Sequence, residues 1–243
     1  MQYGAEHADL YEIVFASRGK NFDREAKELA DLVRARFPRA LSLLDVACGT
    51  GAHLAAFGGL FEYVEGVDCS EDMLAVGRRK RPDLPLRHGD MRTFDLGRTF
   101  DAVVCLGNSV ACMPTVEELG AAIRRMADHL TPGGVLIVEP WWFPDEFLDG
   151  HVGGHLVTEA GRVISRVTHA ARRGDRTRHE VNFVVADASG IRTFTDVLWV
   201  SLFTREQYAA AFERAGCTVD LVKGLSLDTG RPNGPGLFVG TRR

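Results

Sequence analysis

Residues 21–37 read NFDREAKELADLVRARF, with apolar positions at Phe22, Ala26, Leu29, Ala30, Val33 and Phe37. That spacing lays one apolar stripe along a helix whose opposite face is charged. The period then changes. LSLLDVA (41–47) is a short apolar run that ends at a turn signal, and it predicts a buried strand. EYVEGVD (62–68), LPLRHGD (84–90), TFDAVVCLG (99–107) and GGVLIVE (133–139) predict four more. Between them AHLAAFGGL (52–60), SEDMLAVGRRKR (70–81) and TVEELGAAIRRMADHL (115–130) carry helical patterns, with Ser70 as an N-cap. Strands that alternate with helices predict a parallel sheet covered on both faces.

From about residue 153 to 203 the alternation shortens to period two. Turn signals at Glu-Ala-Gly, Arg-Gly-Asp and Ala-Ser-Gly divide this stretch into about four antiparallel strands. A helix at TREQYAAAFERAG (204–216) and strands at CTVDLVKG (217–224) and GLFVGTRR (236–243) complete the chain. The expected fold is α/β, a seven-stranded sheet with an antiparallel β insertion between strand 5 and the last helix. It divides the chain into a core with an N-terminal cap (1–148), the insertion (149–203), and a returning segment that completes the core (204–243).

Composition narrows the partners. The net charge is −4, so the chain has no bulk positive field and nucleic acid is not an expected partner. RRKR at 78–81 reads as a solvated helix end. No run reaches the ~20 apolar residues of a membrane span, and MQYGAEHADLYE is unlike a secretory signal. Five cysteines, odd in number and without CxxC spacing, fit reduced thiols in the cytoplasm. No metal is expected. His151 and His155 are four apart, but they sit among glycines in a stretch read as a loop, with no carboxylate or cysteine partner.

The chemistry concentrates in LLDVACGTGAHL (43–54), where a strand runs through Gly49 and Gly51 into a helix. Backbone can approach a ligand closely there. Asp68, seventeen residues after Gly51, ends the next strand, where a carboxylate could accept both ribose hydroxyls of an adenosine. A dinucleotide site wants a third small residue where this chain has Leu54, so a pyrophosphate ligand fits poorly. A bare strand-to-helix turn with no ligand is the competing reading.

The segment D-x-A-C-G-T-G with its acidic strand end resembles the first two motifs of class I S-adenosylmethionine-dependent methyltransferases, a Rossmann-like family. HGDMR, the fourth strand with its following loop, and LTPGGVLIVEP agree with the resemblance in order. It implies S-adenosyl-L-methionine as cofactor, held by Ala47, Gly49, Gly51, Asp68, Met73 and Leu106, with Asp90 at the adenine edge and Met91 on its face.

A narrower likeness follows. HADLYE…RGKNF, SEDML, VEELGAA, VxFxVAD (181–187) and above all VEPWWFPDEF (138–147) are similar to TDP-amino-sugar N,N-dimethyltransferases, which finish dimethylamino deoxysugars of antibiotics. The implied substrate is a TDP-linked 3- or 4-amino deoxysugar. The resemblance places Tyr11 and Arg18 in a cap over the cofactor, with Tyr11 also under the sulfonium and Arg18 on the methionine carboxylate. It puts Asn108, Ser109, Trp141, Trp142 and Phe143 on the substrate side, and the insertion's Arg166 and Arg178 by the diphosphate.

One position departs from the pattern: Cys112 stands where relatives carry an aromatic residue or histidine beside the reacting amine. Tyr11 and Cys112 are therefore expected to position the amine, with no dedicated base. Relatives are often homodimers, which the resemblance extends to this chain. The rival readings are a methyltransferase for another small amine or hydroxyl, and a non-catalytic cofactor-binding protein.

Overall fold

The computed structural model describes residues 4–159 and 161–243. Two helices, α1 (Ala5–Ser17) and α2 (Phe22–Arg36), precede the first strand. Then β1 (Ser42–Val46), α3 (Ala52–Phe57), β2 (Tyr63–Asp68), α4 (Glu71–Lys80), β3 (Leu86–His88) and β4 (Phe100–Cys105) alternate as the patterning predicts. A short 3-10 turn (Ser109–Cys112), α5 (Val116–Asp128) and β5 (Leu130–Val138) follow. Helix caps are local and legible. Asn21, Ser70, Thr115 and Thr204 each accept a backbone N–H in the first turn of their helices, with Thr204 in a full capping box with Gln207.

β6 (His151–Glu159), β7 (Arg162–Arg173), β8 (Arg176–Asp187) and β9 (Gly190–Ser201) form the antiparallel insertion as a separate four-stranded sheet. In the turn expected at 159–161, residue 160 lies outside the described residues. His151 and His155 are on β6, not in a loop, because ladder pairing with Ala170 and Arg166 holds the glycine-rich stretch extended. The chain returns through α6 (Arg205–Arg214), β10 (Asp220–Val222) and β11 (Leu237–Thr241).

The main sheet has seven strands in the order β10-β11-β5-β4-β1-β2-β3. It is not wholly parallel: β11 runs antiparallel to both β5 and β10. No crossover helix separates β10 from β11, and without one neighbouring strands return antiparallel. The Thr131-Pro132-Gly133-Gly134 segment belongs to β5, where the pairing with β4 shifts register between Phe100 and Ala102. β1 lies between β2 and β4, so the strand order reverses there and a crevice opens at the carboxyl ends.

α1 fills the space between that crevice and the second sheet. Leu10 and Val14 pack with Val157, Ile164, Val181, Phe183 and Val185 of the insertion. Ala8 and Tyr11 pack with Met73 and Val76 of α4. Burying Leu10 and Val14 contributes about 1.5–3 kcal/mol for each side chain. Because two faces of α1 are covered, its apolar residues do not follow one stripe, and periodicity alone does not reveal the helix.

Candidate active site

Two adjoining cavities open at the carboxyl ends of β1, β2 and β4, and both are lined by Tyr11, Ala47, Gly49 and Ser109. The larger, about 740 Å³ and open to solvent, adds Asp68, Cys69, Ser70, Met73, Asp90 and Met91, with Cys112 and Met113 on the opposite wall. The smaller, about 370 Å³, runs past the glycine loop to Phe22, Asp45, His53, Leu106 and Gly107.

The loop between them is shaped by its sequence. Gly49 has φ +58°, in the left-handed region, and a Cβ there would stand 2.9 Å from Met73 Cε. Glycine meets both conditions without strain, whereas a larger residue would adopt an unfavoured backbone and push Met73 aside. Gly51 starts α3 at φ +77° and holds the turn without itself lining either cavity. Ala47 and Asn108, at the ends of β1 and β4, also have positive φ (61° each) although neither is glycine. Such backbone costs of order 1–3 kcal/mol and concentrates at functional sites.

Asp68 spans the loop. One carboxylate oxygen accepts the Gly49 N–H at 2.8 Å and the other accepts the Ser70 N–H at 2.8 Å. Burial raises its pKa, against the lowering effect of those amides. Asp45, 1% exposed, is pushed well up by burial and then by the charge of Asp68, and its Oδ2 has no hydrogen-bond partner among the described residues. An orphaned buried oxygen, a carboxylate at the end of β2 and methionine side chains on the wall together fit an adenosyl-amino-acid cofactor.

Asp90 is less free than the sequence suggests. Arg92 holds its Oδ1 through both the backbone N–H and Nε, at 2.9 Å each, and reaches across to Glu118. The Arg92 hydrogen bond leads the effects that lower the Asp90 pKa. Cys112 faces the same cavity as Asp68, Asp90 and Met91, and burial pushes its thiol up to about 11, which removes it as a thiolate or base near neutrality. Asn108 donates from Nδ2 to the Pro140 carbonyl at 2.6 Å, and Ser109 donates from Oγ to the Leu106 carbonyl at 2.9 Å.

The aromatic run divides three ways. Trp141 is half-buried, packs on Ala111, Leu198 and Val200, and stands 6.0 Å from the His179 ring on the inner face of the second sheet. Trp142 is half-buried as well. Phe143 is fully buried among Tyr208 and Phe238, with Arg205 4.0 Å over its ring. Phe143 is therefore a core residue and does not line the substrate side, because the chain turns into the core between the two prolines.

Strand alternation corrects one of the two arginines. Arg178 lies on the outer face of β8, opposite Ala171 and Trp199, and pairs with Glu180. Arg166 is on the inner face, 9% exposed. His179 lies on that face too and is lowered to about 4 by burial and then by Arg166, Arg18, His151 and His169. Arg18 ends α1, 5.4 Å over the Phe15 ring, and its pKa is lowered by burial and then by Arg231. It lines neither cavity. Arg166 and Arg18 thus lie near enough to act on His179, the ring beside Trp141, and Arg231 acts in turn on Arg18.

Residues 43–134 match the family model of a methyltransferase domain. The dTDP-3-amino-3,4,6-trideoxy-α-D-glucopyranose N,N-dimethyltransferase of Streptomyces venezuelae is 50% identical over 239 residues, 98% of this chain and 98% of that one. The chain belongs to the TDP-amino-sugar N,N-dimethyltransferase family. A second relative, the dTDP-4-amino-2,3,4,6-tetradeoxy-D-glucose N,N-dimethyltransferase of Saccharopolyspora spinosa, is 46% identical over 99% of this chain and 94% of its own. An amino pentose methyltransferase of calicheamicin biosynthesis from Micromonospora echinaspora, solved with S-adenosylmethionine bound, superposes with a TM-score of 0.86 at 51% identity, covering 96% of this chain and 97% of that one. This dimethyltransferase uses S-adenosylmethionine, and its Rossmann-like sheet is that of the class I enzymes.

Sequence reasoning left several site residues out. Glu12 of α1 accepts from Thr50 Oγ1 at 2.6 Å and pairs with Arg81, tying the helix to the glycine loop. Glu139, at the end of β5, accepts from Gly107 N at 2.7 Å and Asn233 Nδ2 at 2.6 Å. Their partners are far apart in sequence, so no local signal marks them. Asp45 was visible as the acid of the motif, without a role.

Proposed function

We propose that the protein transfers methyl groups from S-adenosylmethionine to the amino group of a TDP-linked 3- or 4-amino deoxysugar, giving the dimethylamine of an antibiotic sugar. The observation that carries this reading is the pair of cavities joined at Tyr11, Ala47, Gly49 and Ser109, at the carboxyl ends of the central strands. Both relatives of known name act on dTDP-amino sugars, one at the 3-amino and one at the 4-amino group.

In this reading Asp68 receives the ribose hydroxyls, Met73 and Met91 flank the adenine, and Asp90 takes its edge while held by Arg92. Ala47, Gly49 and Leu106 form the floor, with Gly51 holding the turn. Tyr11 presents its ring to the sulfonium, whose charge an aromatic face attracts. Arg166, with Arg18 and Arg231, holds the diphosphate, and Trp141, Trp142, Asn108 and Ser109 bound the sugar. This places Arg18 on the diphosphate instead of the methionine carboxylate. Cys112 serves as wall.

When bound, the cofactor supplies a methyl group on a good leaving group. The protein has to hold a neutral amine on the line of the S–CH3 bond. The amine lone pair forms the N–C bond, the C–S electron pair goes to sulfur, and the ammonium so formed releases its proton to water. Orientation of this kind supplies roughly 7–11 kcal/mol. No dedicated base is required.

The second sheet completes the proposal. Its outer face exposes Val152, Leu156, Val163, Val167, Val184, Ile191, Val197 and Trp199, and exposed apolar groups gathered on one face mark an interaction site. A second copy of the chain is the partner that would cover it, making the insertion both the substrate wall and the dimer face. No helix among the described residues is long and apolar enough to cross a membrane, and five free cysteines suit a cytoplasmic reaction.

The deciding experiment offers the enzyme and S-adenosylmethionine a TDP-3-amino-3,6-dideoxyhexose and, separately, its 4-amino counterpart, with products read by mass spectrometry. Two added methyls on one of them are expected. Cofactor binding with no methyl on either sugar would overturn the substrate.

A further inference from the structure

A buried charged triad lies under the smaller cavity, on the side of the glycine loop away from Asp68. Lys20 Nζ is 2.7 Å from Glu25 Oε2, and His53 Nε2 is 2.8 Å from the same oxygen. Glu25 is fully buried, Lys20 is 5% exposed and His53 9%. Phe22 seals the group, edge-on to His53 at 4.9 Å and 5.8 Å from the Lys20 ammonium. A buried ion pair with its attendant histidine is weak as a device for stability, since apolar residues of the same volume usually do as well or better. Its geometry points to a ligand instead.

Glu25 is a carboxylate: burial would raise its pKa, but the His53 hydrogen bond and the Lys20 charge outweigh that and lower it. A carboxylate only accepts, so His53 must present its N–H at Nε2. Burial lowers the His53 pKa and keeps the ring neutral. Nδ1 is then a lone pair. The Nε2 bond to Glu25 is the one hydrogen bond of this ring among the described residues. His53 lines the cavity together with Tyr11, Phe22 and Gly107. The end of the cavity beyond the glycine loop therefore offers His53 Nδ1 as an acceptor and suits a small N–H donor.

We propose that His53 is a cofactor-binding residue whose Nδ1 accepts a hydrogen bond from the α-ammonium of the cofactor's aminoacyl tail, with Glu25 and Lys20 as positioning residues that hold its tautomer and ring plane. The assignment rests on the cofactor reading above and adds to it a determinant of tail recognition. It explains why α2, which touches no reacting atom, carries a completely buried glutamate.

The test is calorimetric binding of two ligands: S-adenosylhomocysteine, and 5′-methylthioadenosine, which keeps the adenosine thioether and lacks the aminoacyl tail. His53→Gln retains a nitrogen near Nε2 for Glu25 and removes Nδ1. It should weaken S-adenosylhomocysteine about tenfold, the scale of one hydrogen bond to a charged group, and leave 5′-methylthioadenosine unchanged. Equal loss for both ligands, or no loss for S-adenosylhomocysteine, would overturn the assignment alone. Wild-type protein that binds neither ligand would overturn the cofactor reading with it. Should the variant not fold, the wild-type His53 Nδ1 resonance in 15N spectra gives the same answer. It should move with S-adenosylhomocysteine and stay put with 5′-methylthioadenosine, and a resonance that ignores both refutes the contact.

Discussion

Adjacent residues of one sequence run carry different duties here. Trp141 stands beside His179 on the inner face of the second sheet, while Phe143 is enclosed by Tyr208 and Phe238. Phe143→Ala should cost about 3–5 kcal/mol of stability by denaturant titration, since it opens a large cavity in the core. The KM for the sugar in the surviving folded fraction should not change. Trp141→Ala should show the opposite balance, a raised sugar KM with a smaller stability loss. Equal behaviour of the two variants would mean that the half-buried indole is only packing. Asp68 illustrates a second economy at this scale: the carboxylate that orders the Gly49 and Ser70 amides also lines the cavity.

At the scale of elements, α1 is a cap fastened by charge as well as by Leu10 and Val14. Glu12 meets Lys80 at the end of α4, Arg81 just beyond it and Thr50 of the glycine loop, and Asp9 meets Arg79 of α4. Burial would raise the Glu12 pKa, but hydrogen bonds from Arg81 and Thr50 and the charges of Arg81 and Lys80 bring it to about 2. A glutamate in an unfolded chain titrates near ~4.3. Since the folded value is the lower one, the stabilisation is fully present above the unfolded pKa and is lost as pH falls through the window down to about 2. Glu12→Gln should therefore lower stability at pH 7 by about 1–3 kcal/mol, measured by urea unfolding. The difference from wild type should shrink as pH is lowered through that window, whereas a constant difference would show that Glu12 acts by packing.

The whole molecule sets two sheets side by side, with α1 packed against both the insertion and α4. The proposed dimer follows from the outer face, where Leu156 is 65% and Val167 55% exposed. Placing charges there with Leu156→Glu and Val167→Glu should leave each chain folded and convert dimer to monomer in sedimentation equilibrium, because like charges would meet across a face meant to exclude water. A wild-type protein that sediments as a monomer would remove the proposal.

Periodicity and turn chemistry determined much by themselves. α2, α4, α5 and α6, the strand order along the chain and the antiparallel insertion are local patterns, because side-chain spacing and caps act within a few residues. The glycine loop and Asp68 were legible for the same reason, since positive φ and a strand-end carboxylate leave a short signature. Tertiary structure alone decided the rest. Arg166 faces inward and Arg178 outward, a choice of pleat that a charged side chain does not announce. Phe143 turned inward, α1 became a helix covered on two faces, and Glu12, Glu25 and His53 found partners from 5 to 69 residues away. Such contacts depend on which surfaces the fold brings together, and that is a property of the packed molecule, not of any window of its sequence.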